Sequence, residues 1–210
     1  MNNIELANVL SYFYDRFPNI TFILSGSEVG LLEKIICEKK EEVKEHPLYG
    51  RHIVKITLGR LEKEKAIEFL RKGFKQLGKE ISKDDMKIID EVDGLIGWLT
   101  YYGYEKAVLK NKDAFEKTIQ VATQIMASEL DNFLMKRKNK KLYLAILRNA
   151  TKVSWKELKI MVTKDLRKFV NPNAFSKALT TLVEFSFLEK ENGKYFVADP
   201  LVFRALSLVS

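Results

Sequence analysis

The sequence is poor in the residues that build covalent or metal-bound frameworks. Its 210 residues include one cysteine, Cys37, and two histidines, His46 and His52. A lone cysteine excludes an intramolecular disulfide framework and suits a reducing cytoplasm. The histidines have no cysteine or histidine partners at metal-ligand spacing, so we expect no metal site.

Long apolar runs are also missing. No stretch approaches the roughly 20 apolar residues of a membrane helix. Residues 1–5 lack the basic and apolar regions of a signal peptide. The charged residues make up 30% of the chain and are rich in Lys and Glu, as in proteins of thermophiles. Together these features predict a cytoplasmic location.

A phosphate loop is absent too. Residues 73–80 match the spacing G-x-x-x-x-G-K, but Glu80 stands where Ser or Thr is required. This segment ends a predicted helix, whereas a phosphate loop follows a strand and opens a helix. No apolar strand ends in Asp-Glu. The chain alone is therefore predicted to lack a magnesium–nucleotide site, and we assign no catalytic residue.

Positive charge is concentrated towards the C-terminus. Residues 136–210 contain 16 basic and 6 acidic residues, whereas residues 1–135 contain 20 basic and 22 acidic ones, within a net charge of +8. A basic C-terminal third indicates an acidic partner, and duplex DNA is the usual candidate. A solvated lysine-rich surface is the alternative.

Two apolar segments predict buried strands. Ile20–Ser25 is a continuous run of β-branched, aromatic and aliphatic residues up to its polar end, and Ile53–Leu58 is the other convincing strand pattern in the first half of the chain. An apolar run without alternation is typical of a strand covered on both faces in a parallel sheet. Parallel strands need neighbours, which normally arrive through helical crossovers. The sequence thus predicts a sheet with most of its strands missing.

Polar residues lie beside both predicted strands. Ser25 and Ser27 follow the first strand, at the end where α/β folds bind ligands. The alternative is that Ser27 caps a helix running from Glu28 to Cys37. Arg51 precedes the second strand, and its guanidinium group matches a phosphate bidentately. A surface salt bridge is the alternative for this arginine.

Helical periodicity dominates the remainder of the first 135 residues. A glycine-interrupted turn, residues 93–103, separates the later helices. The predicted helices are Asn3–Phe17, Leu61–Gln76, Lys83–Val92 and a longer one from Asn111 or Asp113 to about Met135.

The last third predicts three helices and a hairpin. Asn192-Gly193 lies between two short strand patterns and is a strong hairpin signal. Three helices followed by a hairpin predict a winged helix-turn-helix. The elements are Leu142–Asn149, Trp155–Leu166, a helix opened by Asn171-Pro172-Asn173 that reaches about Phe185, and the strands Phe187–Lys190 and Lys194–Ala198.

The third of these helices has a polar outward face that suits contacts with bases or phosphates. The wing carries Glu189 and Glu191, which face phosphates unfavourably, so a protein-contact domain is the alternative. The candidate nucleic-acid-binding residues are Asn173, Ser176, Lys177 and Thr180 on the helix and Lys190 and Lys194 on the wing.

Several motifs in this order resemble the archaeal ATPase family, within the AAA+/STAND class of P-loop ATPases. The resemblance covers essentially the whole chain. The motifs that resemble the family begin with the segment from Leu10-Ser11-Tyr12 through residues 22–32. The others are Pro47-Leu48-Tyr49-Gly50-Arg51, Gly97-Trp98-Leu99, and Tyr195 with Asp199-Pro200.

The resemblance implies roles in nucleotide sensing. It makes Ile20–Ser25 the sensor-1 strand, with Ser25 or Ser27 near the γ-phosphate, and makes Arg51 a phosphate-sensing arginine. Residues 93–100 resemble the lid motif, which includes Gly97 and Trp98, although Ile96 stands where the family has Pro. ATP and magnesium are the family's cofactors, and neither is expected to bind tightly to this chain alone.

The fold class expected from these arguments is mainly α with a small α/β remnant. The domains would be an α/β remnant (1–60), a helical lid (61–135) and a winged helix (136–210). Family members carry the phosphate loop and acidic strand before the segment that starts here, so we expect a C-terminal portion: a short gene product, a degraded reading frame or a fragment. The alternatives are a stand-alone DNA-binding regulator and a module that binds a protein partner or itself through the remnant.

Overall fold

A computed structural model describes residues 3–26, 32, 35–36, 46–56, 58–83 and 85–209. This part of the chain is mostly helical and contains a three-stranded antiparallel sheet. In chain order its elements are α1 (Asn3–Arg16), α2 (Lys63–Gln76), α3 (Asp85–Glu91), α4 (Ile96–Gly103), a π-helical turn (Tyr104–Val108), α5 (Ala114–Met135), α6 (Lys140–Asn149), β1 (Thr151–Ser154), α7 (Trp155–Leu166), α8 (Pro172–Glu184), β2 (Leu188–Glu191), β3 (Lys194–Val197) and α9 (Val202–Ala205).

The two segments predicted as buried strands are not strands. Residues 20–26, 52–56 and 58 have no strand assignment, and Ile23 and Leu58 are each 91% exposed. A strand is stabilised by hydrogen bonds to a neighbouring strand and by apolar cover on its faces. The described residues supply no strand partner and only partial apolar cover, so the two segments do not form strands. The predicted helix from Glu28 to Cys37 lies outside the described residues, apart from positions 32, 35 and 36.

The helical unit, residues 61–122, is built by α2 to α4 and the first part of α5. Its α3 begins with a reciprocal cap between Ser82 and Asp85. The backbone N–H of Ser82 donates to Asp85 Oδ2 at 2.6 Å, and the N–H of Asp85 donates to Ser82 Oγ at 3.3 Å. The unit encloses one apolar cluster, which consists of Ala66, Leu70, Phe74, Ile88, Ile89, Val92, Leu99, Tyr102, Ala107, Ala114, Ile119, Ala122 and the distant Leu201.

The C-terminal unit, residues 127–209, contains the three predicted helices and the predicted hairpin. Ser154 and Glu157 form a full capping box at the start of α7. Asn171 caps α8 by accepting hydrogen bonds from two backbone N–H groups, and Pro172 occupies its first turn. The buried side chains of the C-terminal unit form a second apolar cluster, which includes Leu130, Leu134, Ile146, Leu147, Leu158, Val162, Phe175, Leu179, Leu182 and Leu188.

Strand β1 was not predicted from the sequence. It spans four residues, and its last residue, Ser154, also caps α7. It forms because β3 offers an open edge, giving the antiparallel order β1-β3-β2 with Val153 opposite Tyr195. Lys152 adopts a positive φ of 63° where the register shifts, so a bulge interrupts the pairing.

Gly94 gives a test of the helical unit. Its φ is +69°, its carbonyl accepts from the N–H of Leu61 at 3.0 Å, and an added Cβ would overlap the backbone of Leu61. We expect Gly94→Ala to lower the free energy of unfolding by about 2 kcal/mol or more, because both the backbone conformation and the space disfavour a side chain. Urea denaturation measures the effect.

Gly73 provides the matched control. It lies on α2 with open space around the position of a Cβ. Gly73→Ala should raise stability by about 0.5–1 kcal/mol, because alanine loses less backbone entropy in a helix. An equal effect of both substitutions would contradict the close approach at Gly94.

Candidate functional site

Arg51 forms an ion pair with Asp15 of α1. Its Nη2 lies 2.6 Å from Asp15 Oδ2, and its Nε donates to Asp15 Oδ1 at 3.1 Å. It also donates to the carbonyl oxygen of Pro47. The hydrogen bonds from Arg51 hold the pKa of Asp15 below its usual range. The arginine therefore ties the turn at residues 46–51 to α1, and its predicted phosphate-sensing role would require it to exchange Asp15 for phosphate.

The predicted serine site is only partly described. Ser25 is exposed, at the end of the apolar segment that has no strand partner. Ser27 lies outside the described residues. The sensing roles of both serines stay predictions.

The predicted lid motif contacts the C-terminal unit. Gly97 is exposed on α4 with open space around it. The indole N–H of the neighbouring Trp98 donates to Asp199 Oδ2 at 2.9 Å. The other carboxylate oxygen of Asp199, itself 9% exposed, accepts from the N–H of Leu201 at 2.8 Å. The polar atom of Trp98 is thus already paired, and its nucleotide-sensing role stays a prediction.

Arg60 is a functional candidate that the sequence did not indicate. Its Nη2 donates to the carbonyl oxygens of Val197 at 2.9 Å and Ala198 at 2.7 Å, at the end of β3. Its Nη1 pairs with Asp93, at the start of the predicted lid motif. Its guanidinium carbon lies 5.4 Å from the centre of the Phe196 ring. One arginine therefore joins the turn at Asp93 to the end of the β2-β3 hairpin.

These contacts form what we call the junction: Arg60, Trp98 and the segment Val197–Leu201. Leu201 packs in the apolar cluster of the helical unit. The next residue, Val202, packs in the cluster of the C-terminal unit. Burial first, and the charge of Asp199 second, raise the pKa of the neighbouring Glu129. The junction thus places a short segment between the two cores, where Arg60 pairs with Asp93 and Trp98 donates to Asp199.

The polar face predicted on the third C-terminal helix is present on α8. Asn173, Ser176, Lys177 and Thr180 are all exposed. Ser176 Oγ accepts a hydrogen bond from the indole N–H of Trp155 at 3.2 Å, which fixes α7 against this face. The structure therefore brings the four helix candidates together on one surface.

The two lysines of the β2-β3 hairpin that were predicted to bind nucleic acid have a different environment from the residues on α8. Lys190 is exposed on β2, with its Nζ 5.3 Å from the centre of the Tyr195 ring. Lys194 is exposed on β3 opposite Glu191. Glu191 Oε2 lies 3.4 Å from Lys152 Nζ, and Glu189 Oε1 lies 3.5 Å from Arg60 Nη2. The wing thus carries a mixed set of charges that are largely paired within the chain.

A cleft at the ends of α6 and α7 is a poor anion site in spite of its basic lining. Both helices direct their C-terminal ends there, where the helix dipole is negative and attracts cations. The amide of Asn149 also donates to Asp165 at 3.3 Å. The cleft is lined by Arg148, Asn149, Met161, Lys164, Asp165 and Arg167.

The part of the chain that the structure describes has neither a candidate metal centre nor a candidate membrane span. It contains no cluster of three or more His, Cys, Asp or Glu side chains able to hold a metal ion. In the same residues, none of the helices has the length and apolar character needed to cross a bilayer.

The junction gives a stability prediction. Arg60→Met removes the donors to two carbonyl oxygens, and Trp98→Phe removes the donor to Asp199. Each change should lower the free energy of unfolding by about 1–3 kcal/mol, because an acceptor at this largely buried contact loses its partner. Chemical denaturation followed by circular dichroism measures the loss.

Arg71 supplies the control, because it is exposed on α2. Arg71→Met should change stability by less than about 0.5 kcal/mol. The double variant at Arg60 and Trp98 should lose less than the sum of the single changes, since both hold the same segment. Strict additivity, or an Arg60→Met loss no larger than that of Arg71→Met, would count against the junction.

Comparison with known proteins relates the chain to an archaeal ATPase. No family model matches the sequence, and no curated protein is similar to it. Among solved structures, the Walker-type ATPase of Pyrococcus abyssi is similar, with a TM-score of 0.78 and 30% sequence identity. The match covers 97% of this chain and 57% of the P. abyssi chain, so this chain spans a little over half the length of that ATPase. This similarity supports the archaeal ATPase relationship that the sequence motifs indicate.

Proposed function

We propose that this chain is the sensor, lid and output portion of an archaeal ATP-binding ATPase of the AAA+/STAND class. In this proposal the helical unit is the lid and the C-terminal unit is a winged helix. The nucleotide chemistry requires a phosphate-loop-bearing α/β segment that these 210 residues do not contain. The proposal extends the similarity to the P. abyssi ATPase, which covers 57% of that protein.

The observation that carries the proposal is the exposure of the two apolar segments. Their large apolar side chains are 40% to 91% exposed, although the first segment, Ile20–Ser25, has the composition of a strand buried on both faces. Contiguous exposed apolar surface marks an interaction site. The proposed occupant is the remainder of a parallel sheet, which would supply both the missing strand neighbours and the phosphate loop. These side chains are Ile20, Phe22, Ile23, Leu24, Ile53, Val54, Ile56 and Leu58.

In this proposal, the chain does not form a magnesium–nucleotide site by itself. The described part of the chain has no cluster of carboxylates suited to a metal ion. Arg51 is paired with Asp15, and the indole N–H of Trp98 is paired with Asp199. The proposal therefore assigns this chain no hydrolysis of ATP on its own.

Isothermal titration of the chain with Mg-ATP tests this point. We expect no measurable heat of binding, because the groups that cradle the phosphates and hold the metal are missing. An ATPase with an intact phosphate loop, titrated in the same buffer, is the positive control. A micromolar dissociation constant for this chain would contradict the proposal.

The second candidate function is DNA binding by a stand-alone regulator. It is favoured by the four exposed polar residues on α8 and by the balance of 16 basic to 6 acidic residues in positions 136–210. In helix-turn-helix proteins the second helix of the motif enters the major groove. The two functions are compatible, since a winged helix is also the proposed output of the ATPase.

Binding of duplex DNA at a series of salt concentrations tests the second function. We expect the affinity to fall steeply as salt rises, because each lysine–phosphate contact releases counterions and contributes about −0.9 to the logarithmic slope. Fluorescence anisotropy with a labelled duplex of mixed sequence measures the slope. Absence of binding at low salt would remove this function.

A further inference from the structure

The turn between α7 and α8 presents an aromatic residue to solvent. Phe169 is 79% exposed, whereas the next residue, Val170, is buried in the core at 5%. Arg167 ends α7 in the left-handed conformation with φ 49°, and it and Lys168 are exposed beside Phe169. The buried valine holds the turn, so its cationic and aromatic side chains remain at the surface.

This turn is continuous with the polar face of α8. Lys159 Nζ lies 5.6 Å from the centre of the Trp155 ring and 5.8 Å from that of Phe169, so an ammonium group bridges the two aromatic rings. The Trp155 indole also donates to Ser176, on the face that carries Lys177. These contacts form one surface, which we call the α7–α8 surface: Lys159, Lys168, Phe169, Ser176 and Lys177.

The charge of this region is strongly positive. Residues 151–180 contain seven basic residues and two acidic ones, Glu157 and Asp165. Glu157 is occupied in the capping box of α7. Asp165 accepts from Asn149 at the opposite end of the same helix. Both carboxylates keep their charge and Asp165 lies three residues before Lys168, but seven basic residues outnumber them, so a polyanion approaching the α7–α8 surface meets a net positive charge.

The wing offers the opposite conditions. Glu189 pairs with Arg60 and Glu191 pairs with Lys152. The side chains of Arg60 and Lys152 also lie against the ring of Phe196. A cleft formed by these five residues occupies this side of the wing. The wing is thus held by Arg60, which also pairs with Asp93 of the helical unit, and its two glutamates would repel a phosphate backbone.

We infer that duplex DNA binds to the α7–α8 surface and that the wing contributes no phosphate contact. This inference rests on the second proposed function and assigns its contacts. Lys168 and Lys177 pair with phosphates, and Phe169 makes an apolar contact at the edge of the same surface. The wing is an internal contact of the chain, held by Arg60.

The test compares three sets of variants of the full chain by fluorescence anisotropy on the same duplex across a salt series. Lys168→Gln and Lys177→Gln should each reduce the salt slope by about 1, because each removes one phosphate contact. Phe169→Ala should weaken binding about three- to tenfold and leave the slope unchanged, because it removes apolar contact area and no charge. The matched controls, Lys190→Gln and Lys194→Gln, should change neither quantity.

The outcomes separate the inference from the function on which it rests. All five positions are exposed, so the variants should fold, and circular dichroism verifies this. If the unmodified chain does not bind the duplex at low salt, the DNA-binding function fails and the inference fails with it. If the unmodified chain binds the duplex but Lys190→Gln or Lys194→Gln lowers the salt slope as much as Lys168→Gln or Lys177→Gln does, the function stands and the inference is overturned. Tighter binding of a single strand than of the duplex would also overturn it.

Discussion

The guanidinium group of Arg60 makes the interaction on which the arrangement of this molecule depends. It donates to two consecutive carbonyl oxygens at the end of β3 and pairs with Asp93 in the predicted lid motif. Backbone carbonyls at the end of a strand need donors when water is excluded, and an arginine can serve several acceptors at once because its donors form a planar fork. A second polar contact, Trp98 to Asp199, holds the following residues.

The junction explains how two separate apolar cores form one arrangement. Each core is assembled mainly from consecutive helices, so neither requires the other for its internal packing. Leu201 crosses into the helical core while Val202 remains in the C-terminal core. Arg204 adds an ion pair to Glu91 at 2.8 Å. The junction therefore connects the turn at Asp93 with the β2-β3 hairpin through Arg60, and with the segment after the hairpin through Trp98.

The N-terminal region differs from the two packed cores, because many of its apolar side chains are not covered by the described part of the chain. Phe22 contacts Phe13 of α1 at a ring separation of 6.1 Å, but Ile23, Ile56 and Leu58 remain largely exposed. Apolar surface of this kind is unfavourable in water. The composition of Ile20–Ser25 is typical of a sheet interior. The similar Walker-type ATPase is longer than this chain, and additional strands in a longer protein would explain that composition.

Helices were predicted well from the sequence because their signals are local. The cap at Ser82, the capping box at Ser154 and Glu157, and Asn171 before Pro172 all lie within a few residues of the helices they start. The hairpin at Asn192-Gly193 is local in the same sense. The strand prediction at residues 20–25 and 53–58 was wrong because strand pairing depends on partners that are distant in sequence or absent from the described residues.

The sequence by itself determined the helices, the hairpin and the polar face of α8, since periodicity and capping act over one or two helical turns. It also determined the basic character of the C-terminal third. Only the tertiary structure decided the pairing of β1, the pairing of Arg51 with Asp15, and the junction. Arg60 and Ala198 are 138 residues apart, and Trp98 and Asp199 are 101 apart. No local pattern specifies such contacts, because their partners come from distant parts of the sequence and meet only in the packed structure.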